Sequence, residues 1–188
     1  DFNDNKYQVL KANSHKESEM LSTYKQLNSL LKSTTDFTQF IQYTLSSMAQ
    51  TFAFEHCSFY LMIDDKSAIK SRFTYDIANQ LVDNKLKFNL SRGENIFSYV
   101  MNNDQAILIN DRRDKNWYQY ITGEIAEFIA EGAVLICPIK VGNTAIGVIT
   151  AQVFIADKEI SQTDFEHCSA LIDHLTLCLT MLSHKSKP

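Results

Sequence analysis

The residues of this sequence with chemistry to offer are four cysteines, five histidines, a short basic run and one dense aromatic stretch. The cysteines are Cys57, Cys137, Cys168 and Cys178. A dithiol redox centre or a zinc site wants C-x-x-C or a related spacing, and no pair here has it. Three of the four sit inside apolar runs, where a free cysteine packs as a small hydrophobe in a reducing compartment. His174 and Cys178 share one helix face at i, i+4, which is half of a tetrahedral zinc site without the other half. No metal and no other cofactor is expected. A thiol enzyme needs an accessible, low-pKa thiolate and a resolving thiol. Cys137 stands beside Pro138 in an apolar run with no second thiol near it, so a redox enzyme built on it lacks its partner. Neither a Ser-His-Asp spacing nor a Gly-rich phosphate loop appears, and catalytic residues are not expected. The aromatic stretch is Trp117, Tyr118 and Tyr120, inside a charged connection over 111–132. Long connections in compact domains are often lids or binding loops. Two readings stand for its rings: a wall for a planar or amphipathic ligand, or the filling of a closed core.

Composition narrows the classes further. The chain has 188 residues, with 45% hydrophobic, 21% charged and a net charge of −4. At this length folding buries roughly 70% of the unfolded surface, enough for a self-sufficient core. The basic run Arg112-Arg113 with Lys115 is interrupted by Asp111 and Asp114, a solvated mixed-sign loop and not a footprint for nucleic acid. No apolar run approaches the ~20 residues of a membrane span, and no signal-peptide core opens the chain. A cytoplasmic location is the expectation, with neither nucleic acid nor membrane as partner. The chain opens on Asp1 and not on Met, as an excised piece of a longer protein would.

These residues must be held by the following elements. Residues 1–16 are polar and read as a linker or disordered end. From Glu17, Met20, Tyr24, Leu27 and Leu31 recur at steps of four, three and four, one stripe on a first helix. Asp36 caps a second helix carrying Phe37, Phe40, Ile41, Leu45, Met48 and Phe52. Strands follow over 57–63, 68–76 and 85–91, then a short helix over about 95–102 and a strand over 106–110. After a helical lid segment come strands over 133–141 and 144–155, joined by Gly142-Asn143 hairpin chemistry. Ser161 and Asp164 open the last helix with a capping-box variant, and its apolar face runs from Phe165 to Leu182. Hairpin strands flanked by helices make an antiparallel sheet covered by helices, an α+β domain in α/β/α layers. The strands 57–63 and 133–139 carry large apolar side chains at both parities and belong in the centre, covered on both faces.

Five segments in this order resemble the GAF domain family, over residues 17–182. CSFYLMID at 57–64 resembles the family's first strand and its closing Asp. IFSYVMNNDQAILIND at 96–111 resembles the helix and strand that follow a mid-domain Gly, here Gly93. AVLICPI at 133–139 and AIGVITAQ at 145–152 resemble the paired core strands with their Pro and Gly. ISQTDFEHCSALIDHL at 160–175 is similar to the F-S-x-x-D opening of the last helix. The resemblance implies a single domain over 17–183 with a free tail at 184–188. It implies a six-stranded antiparallel sheet of order 3-2-1-6-5-4, with the first, second and last helices on one face. The loops and short helices over 77–132 would form a pocket on the other. It also implies a sensory or regulatory role, in which a small molecule or partner changes the state of an attached output domain through the terminal helices.

Tests for particular branches of the family come out negative. Cyclic-nucleotide-binding members carry Asn-Lys at the end of the last strand and then Phe-x3-Asp-Glu; here stand Val153-Phe154, Ile160 and Asp164-Phe165. Bilin-binding members use a pocket Cys commonly followed by His, whereas this chain has His-Cys at 56–57 and 167–168. Haem needs an imidazole in the pocket, and no His occurs from Cys57 to Glu166. The branch that reduces free methionine sulfoxide uses loop cysteines, and 77–132 holds none. The ligand is therefore an unknown small molecule. By resemblance Ser58, Tyr75, Asp76, Ile96 and Phe97 line its pocket, and Trp117, Tyr118 and Tyr120 fall where a lid aromatic would stack. The alternative is a domain with a filled pocket that serves dimerisation. The stripe Met20, Tyr24, Leu27 and Leu31, preceded only by polar residues, is expected to pair with a second copy.

Overall fold

The computed structural model describes residues 2–63, 65–90, 94–129 and 132–185, with side chains from Lys6 onward apart from Tyr7. Asp64, Gly93 and the last three residues of the expected tail lie outside the described residues.

The change from helical to strand period is placed where the sequence puts it. Helices α1 (Phe2–Ser33) and α2 (Phe37–Phe52) precede strands β1 (His56–Ile63), β2 (Ala68–Asp76) and β3 (Lys87–Asn89). Helix α3 (Ile96–Asn103), β4 (Ile107–Ile109), a 3-10 turn (Tyr118–Tyr120) and α4 (Glu124–Phe128) lead to β5 (Ala133–Val141), β6 (Thr144–Val153) and α5 (Gln162–Lys185). The strands form one antiparallel sheet of order β3-β2-β1-β6-β5-β4. The doubly apolar runs become β1 and β5, each with a neighbour on both sides and a buried layer on both faces.

Caps fix the helix boundaries. Asp36 accepts from the Thr38 amide at the start of α2, and Ser161 Oγ accepts from the Asp164 amide at the start of α5. On one face of the sheet, α2 contributes Phe40, Leu45 and Met48, and α5 contributes Leu171, Leu175 and Leu179, against Cys57, Leu135, Cys137 and Ile149. The first, second and last helices thus share one face, as expected.

Two expectations about α1 are corrected. Residues 2–16 are helical, not a linker, and α5 continues through Lys185 into the expected tail. The segment 2–33 contains neither Gly nor Pro, and once the docked turns carry the cost of nucleation each further residue adds a hydrogen bond. Residues 8–15 are accordingly helical yet exposed. The second correction concerns the stripe, which is covered by its own chain. Met20 is 7% and Leu27 0% exposed in the core with α2 and α5, and Tyr24 and Leu31 pack half-buried against it. Polar contacts hold α1 along α5. Lys16 pairs with Asp164 at 2.9 Å, the Tyr24 and His174 rings meet edge-on at 5.0 Å, His174 Nε2 sits 3.0 Å from Asn28 Oδ1, and Lys185 Nζ donates to the Leu31 carbonyl at 2.8 Å. The face between α2 and α5 had room for a third helix, and burying the stripe there needs no second molecule.

All four cysteines are free and buried. Burial pushes the Cys57 thiol up, and lifts Cys137 to about 12 against the opposing pull of Ser169. Cys168, between them on α5, is raised by burial first and then by its two thiol neighbours. His174 is engaged with Asn28 and Tyr24, and among the described residues no three His, Cys, Asp or Glu side chains gather as a metal site.

Two outcomes follow from this packing. Replacing Leu175, 0% exposed, with Ala should cost about 2–5 kcal/mol in a urea titration, by lost burial plus a residual cavity. A disulfide reagent at pH 7.5 should label Cys57 and Cys137 on the order of 100-fold more slowly in the native protein than in denaturant, because the thiolate is the reacting form.

Candidate functional site

Opposite the three long helices, the sheet is covered by short elements: α3, α4 and the connections around them. Successive strand residues alternate faces, so β6 turns Val148, Thr150 and Gln152 to this side while Ile149, Ala151 and Val153 join the helix-side core. On β1 the same rule presents Ser58 and Tyr60. On β2 a bulge resets it. Phe59 pairs with Phe73 but Tyr60 with Ser71, so Arg72 is the extra residue and both Ile69 and Thr74 reach the same face.

Two kinds of surface result. Toward β3 and α3 the covering is aromatic. Tyr60, Phe88, Phe97 and Phe128 contact one another with ring centroids 4.9–6.2 Å apart. Ile96 and Phe97 are fully buried there, set in place by the cap of α3. Asn95 Oδ1 accepts from the Phe97 and Ser98 amides, Ser98 Oγ accepts from the Asn95 amide, and Asn95 Nδ2 donates to the Asn89 carbonyl. A mouth of about 230 Å³ opens beside this layer, lined by Phe88, Asn89, Glu94, Asn95, Thr122 and Ile125.

At the other end of the same face the sheet is polar. Thr74, Ser58 and Thr150 stand in register across β2, β1 and β6, each 0% exposed. Thr74 Oγ1 donates to Ser58 Oγ at 2.9 Å. Asn84 Nδ2 donates to Thr74 Oγ1 and to Tyr60 Oη, both at 3.1 Å. Burial pushes the Tyr60 phenol up, opposed by the neighbouring Asn84, Ser58 and Thr150 side chains. Thr150 Oγ1 nevertheless makes no hydrogen bond of proper geometry among the described residues. Gln152 Nε2 donates to the Phe128 carbonyl and ties β6 to the end of α4.

The eight sequence-derived positions separate into groups. Ser58, Ile96 and Phe97 lie together on this face, and Trp117 and Tyr120 pack at its margin through Tyr99, at ring distances of 5.5 and 4.8 Å. Asp76 sits at the strand end, where its carboxylate accepts from the Gln80 amide and shapes a turn. Tyr75 is on the helix side, because Thr74 takes the inner position and neighbours in a strand alternate. Tyr118 is 66% exposed and not part of the face. Tyr60, Asn84, Phe88 and Phe128 belong to it and were missed. Phe88 was legible as the inward residue of an alternating strand, and Phe128 as the apolar face of the lid helix. Asn84-Lys85 followed by Phe88 imitates part of the cyclic-nucleotide motif in the wrong strand, which gives no sign of the contacts Asn84 makes with Tyr60 and Thr74.

With this geometry in hand, the comparisons with known proteins fall into place. A family model for the GAF domain matches residues 34–180. Among solved structures, the phycoerythrobilin-bound GAF domain from a cyanobacterial phytochrome is 9% identical with a TM-score of 0.70, over 89% of this chain and 98% of that one. The GAF domain from an Acinetobacter phosphoenolpyruvate-protein phosphotransferase is 15% identical with a TM-score of 0.62, over 89% and 96%. The free methionine-R-sulfoxide reductase from Neisseria meningitidis, in complex with its substrate, is 15% identical with a TM-score of 0.65, over 88% and 91%. At such identities the likeness is one of fold. No curated protein matches the sequence. The matched segment covers α2 through most of α5, including all six strands, and the chain belongs to the GAF domain family, whose members serve as sensory and regulatory domains in signalling proteins.

Proposed function

We propose that this domain is the sensory module of a signalling protein, binding a small molecule on the face that carries Ser58, Thr150, Phe97 and Trp117. Binding there would be relayed through α1 and α5 to an attached output domain. The observation that carries this reading is the buried hydroxyl row with Thr150 unpartnered. A hydroxyl without a partner is costly in a core, and a ligand is one means of satisfying it. Binding without chemistry is the simpler use of such a face, because its polar groups are hydroxyls and carboxamides and the thiols lie on the opposite side of the sheet. Four free thiols fit a reducing cytoplasm. No helix among the described residues is long and apolar enough to cross a membrane.

A homodimer belongs to the same proposal, on a different surface from the stripe. Leu10 and Leu21 on α1 and Leu177 and Met181 on α5 are 59%, 55%, 55% and 44% exposed. Two-fold pairing of these outer faces would cover them and bring two output domains together. A second reading, a ligand-free interaction module, is favoured by one observation: the four interlocked rings already fill their end of the face.

A thermal-shift screen against small metabolites separates the two readings. A ligand at 100 times its Kd adds ~2.7 kcal/mol, and the melting temperature should rise by about 5–11 °C. A screen without any stabilising compound would leave the interaction module as the function. For the dimer, sedimentation of the wild type and of a Leu21→Glu, Leu177→Glu variant at tens of micromolar should give a dimer and a monomer. A monomeric wild type, or a variant that stays dimeric, removes this interface.

A further inference from the structure

The edge of β2 carries a second concavity, separate from the hydroxyl row, and its chemistry is cationic. Residues 77–86 form a strap along that edge. It is pinned at two places, where the Val82 amide donates to the Thr74 carbonyl at 2.8 Å and the Ser71 amide to the Leu86 carbonyl at 3.0 Å. Between these pins the strap stands away from the strand, beside the bulge in which Arg72 is the extra residue. The resulting open cleft of about 570 Å³ has one wall from β2, over 70–73, and the other from the strap, over 81–85.

On the strap wall the polar groups are satisfied within the chain. Lys85 pairs with Asp83 at 3.3 Å, and Asn84 gives its amide protons to Tyr60 and Thr74 while its oxygen accepts from the Leu86 amide. The β2 wall is different. Among the described residues neither Lys70 nor Arg72 has an ion-pair partner, in a chain whose net charge is −4. Between them stands Ser71, only 7% exposed, whose hydroxyl makes no hydrogen bond among the described residues. A buried hydroxyl without a partner is costly. The same cleft is walled by apolar surface, from the half-buried Phe73 and Val82 and the exposed Leu81. It therefore combines an ammonium, a guanidinium and a hydroxyl, all with protons to give, and an apolar lining beside them.

We infer that this cleft binds a small organic carboxylate with an apolar body. The carboxylate accepts from the Arg72 guanidinium, whose planar fork matches its two oxygens, and from the Ser71 hydroxyl, with Lys70 as a second positive charge. The body of the ligand lies between Phe73, Leu81 and Val82 and takes their surface out of water. Both parts are needed. Exposed cations alone hold an anion weakly, so a bare inorganic anion gains too little. A neutral amide of the same shape loses the attraction of the two cations and brings them an N–H₂ group, for which they hold no acceptor.

The test uses the whole chain with benzoate, benzamide and inorganic phosphate as probes at millimolar concentration, followed by amide NMR. Benzoate should shift the Ser71, Arg72 and Leu81 amides in a saturable way, and benzamide and phosphate should not. Arg72→Gln should weaken benzoate about 5-fold, the upper end for an exposed ion pair, and Ser71→Ala should weaken it about 3–10-fold. Arg113→Gln, in the other basic run, should leave benzoate binding unchanged. If Ser71→Ala does not fold, Arg72→Gln and the comparison of probes still decide. Equal binding of benzamide or phosphate, an equal loss in Arg113→Gln, or no shift with benzoate overturns the assignment. So does benzoate that shifts the Ser58 and Thr150 amides and leaves those of the cleft in place, because the ligand then lies on the hydroxyl row. The sensory reading stands or falls with the metabolite screen and not with this cleft.

Discussion

β1 and β6 come from opposite ends of the fold, yet they pair over six positions from His56 with Gln152 to Leu61 with Gly147. That ladder is the seam of the molecule. On one side of it lie β2 and β3, on the other β5 and β4, and each group alone would be a three-stranded meander with an open edge. The seam is close as well as long. A Cβ on Gly147 would meet the Tyr60 carbonyl oxygen at 2.0 Å, so a side chain there would push the two halves apart at the residue whose ring and hydroxyl serve both parts of the site. Long-range pairing of this kind is entropically expensive to form. It is stable here because both faces of the joined sheet are then covered.

The two coverings differ in kind, and that difference separates scaffold from site. On one face, α2 and α5 lay continuous aliphatic stripes on β1, β5 and β6, and α1 closes the layer. On the other, α3 has eight residues and α4 five, and the rest is connection. Short elements with few buried contacts open locally at lower free energy than long packed helices. The bulge at Arg72 then decides which β2 side chains meet that softer covering. Without it Thr74 and Ile69 would point to opposite faces, and the hydroxyl row would lose the member that receives Asn84.

Much of this was legible in the residues. The strand order came from the family resemblance, and its physical basis is visible in the doubly apolar runs at 57–63 and 133–139 and the capped helices at Asp36 and Ser161. The failures have physical causes. The polar segment 2–16 read as a linker because composition reports exposure, and an exposed helix extended from a docked one has no apolar period to reveal it. The stripe on α1 gave the right face but not its partner, since periodicity states that a face is buried and not by which molecule. Tyr75 was carried over by resemblance together with its neighbour Asp76, and the structure sets it on the helix side because Thr74 takes the inner position and successive strand residues alternate faces. The contacts of Asn84 with Tyr60 and Thr74 could not be read from its neighbours in sequence, because they come from what the fold brings beside it.

For the proposed relay, position alone is not enough. A ligand can shift an equilibrium only by its difference in affinity between two states. The covering layer of short elements, which opens at lower free energy than the long helices, is the part on which such a difference would act. Its change must then reach α5, and the fold provides stiff links in that direction. Gln152 on β6 holds the Phe128 carbonyl at the end of α4 at 3.1 Å. Beyond β4, the Asn110 side chain takes both polar groups of Ile160, accepting from its amide at 2.9 Å and donating to its carbonyl at 3.1 Å, immediately before α5 begins. α5 in turn carries α1 through Lys16–Asp164 and Asn28–His174. The sheet is thus tied in two directions, to the covering layer through Gln152 and Phe128 and to the start of α5 through Asn110 and Ile160.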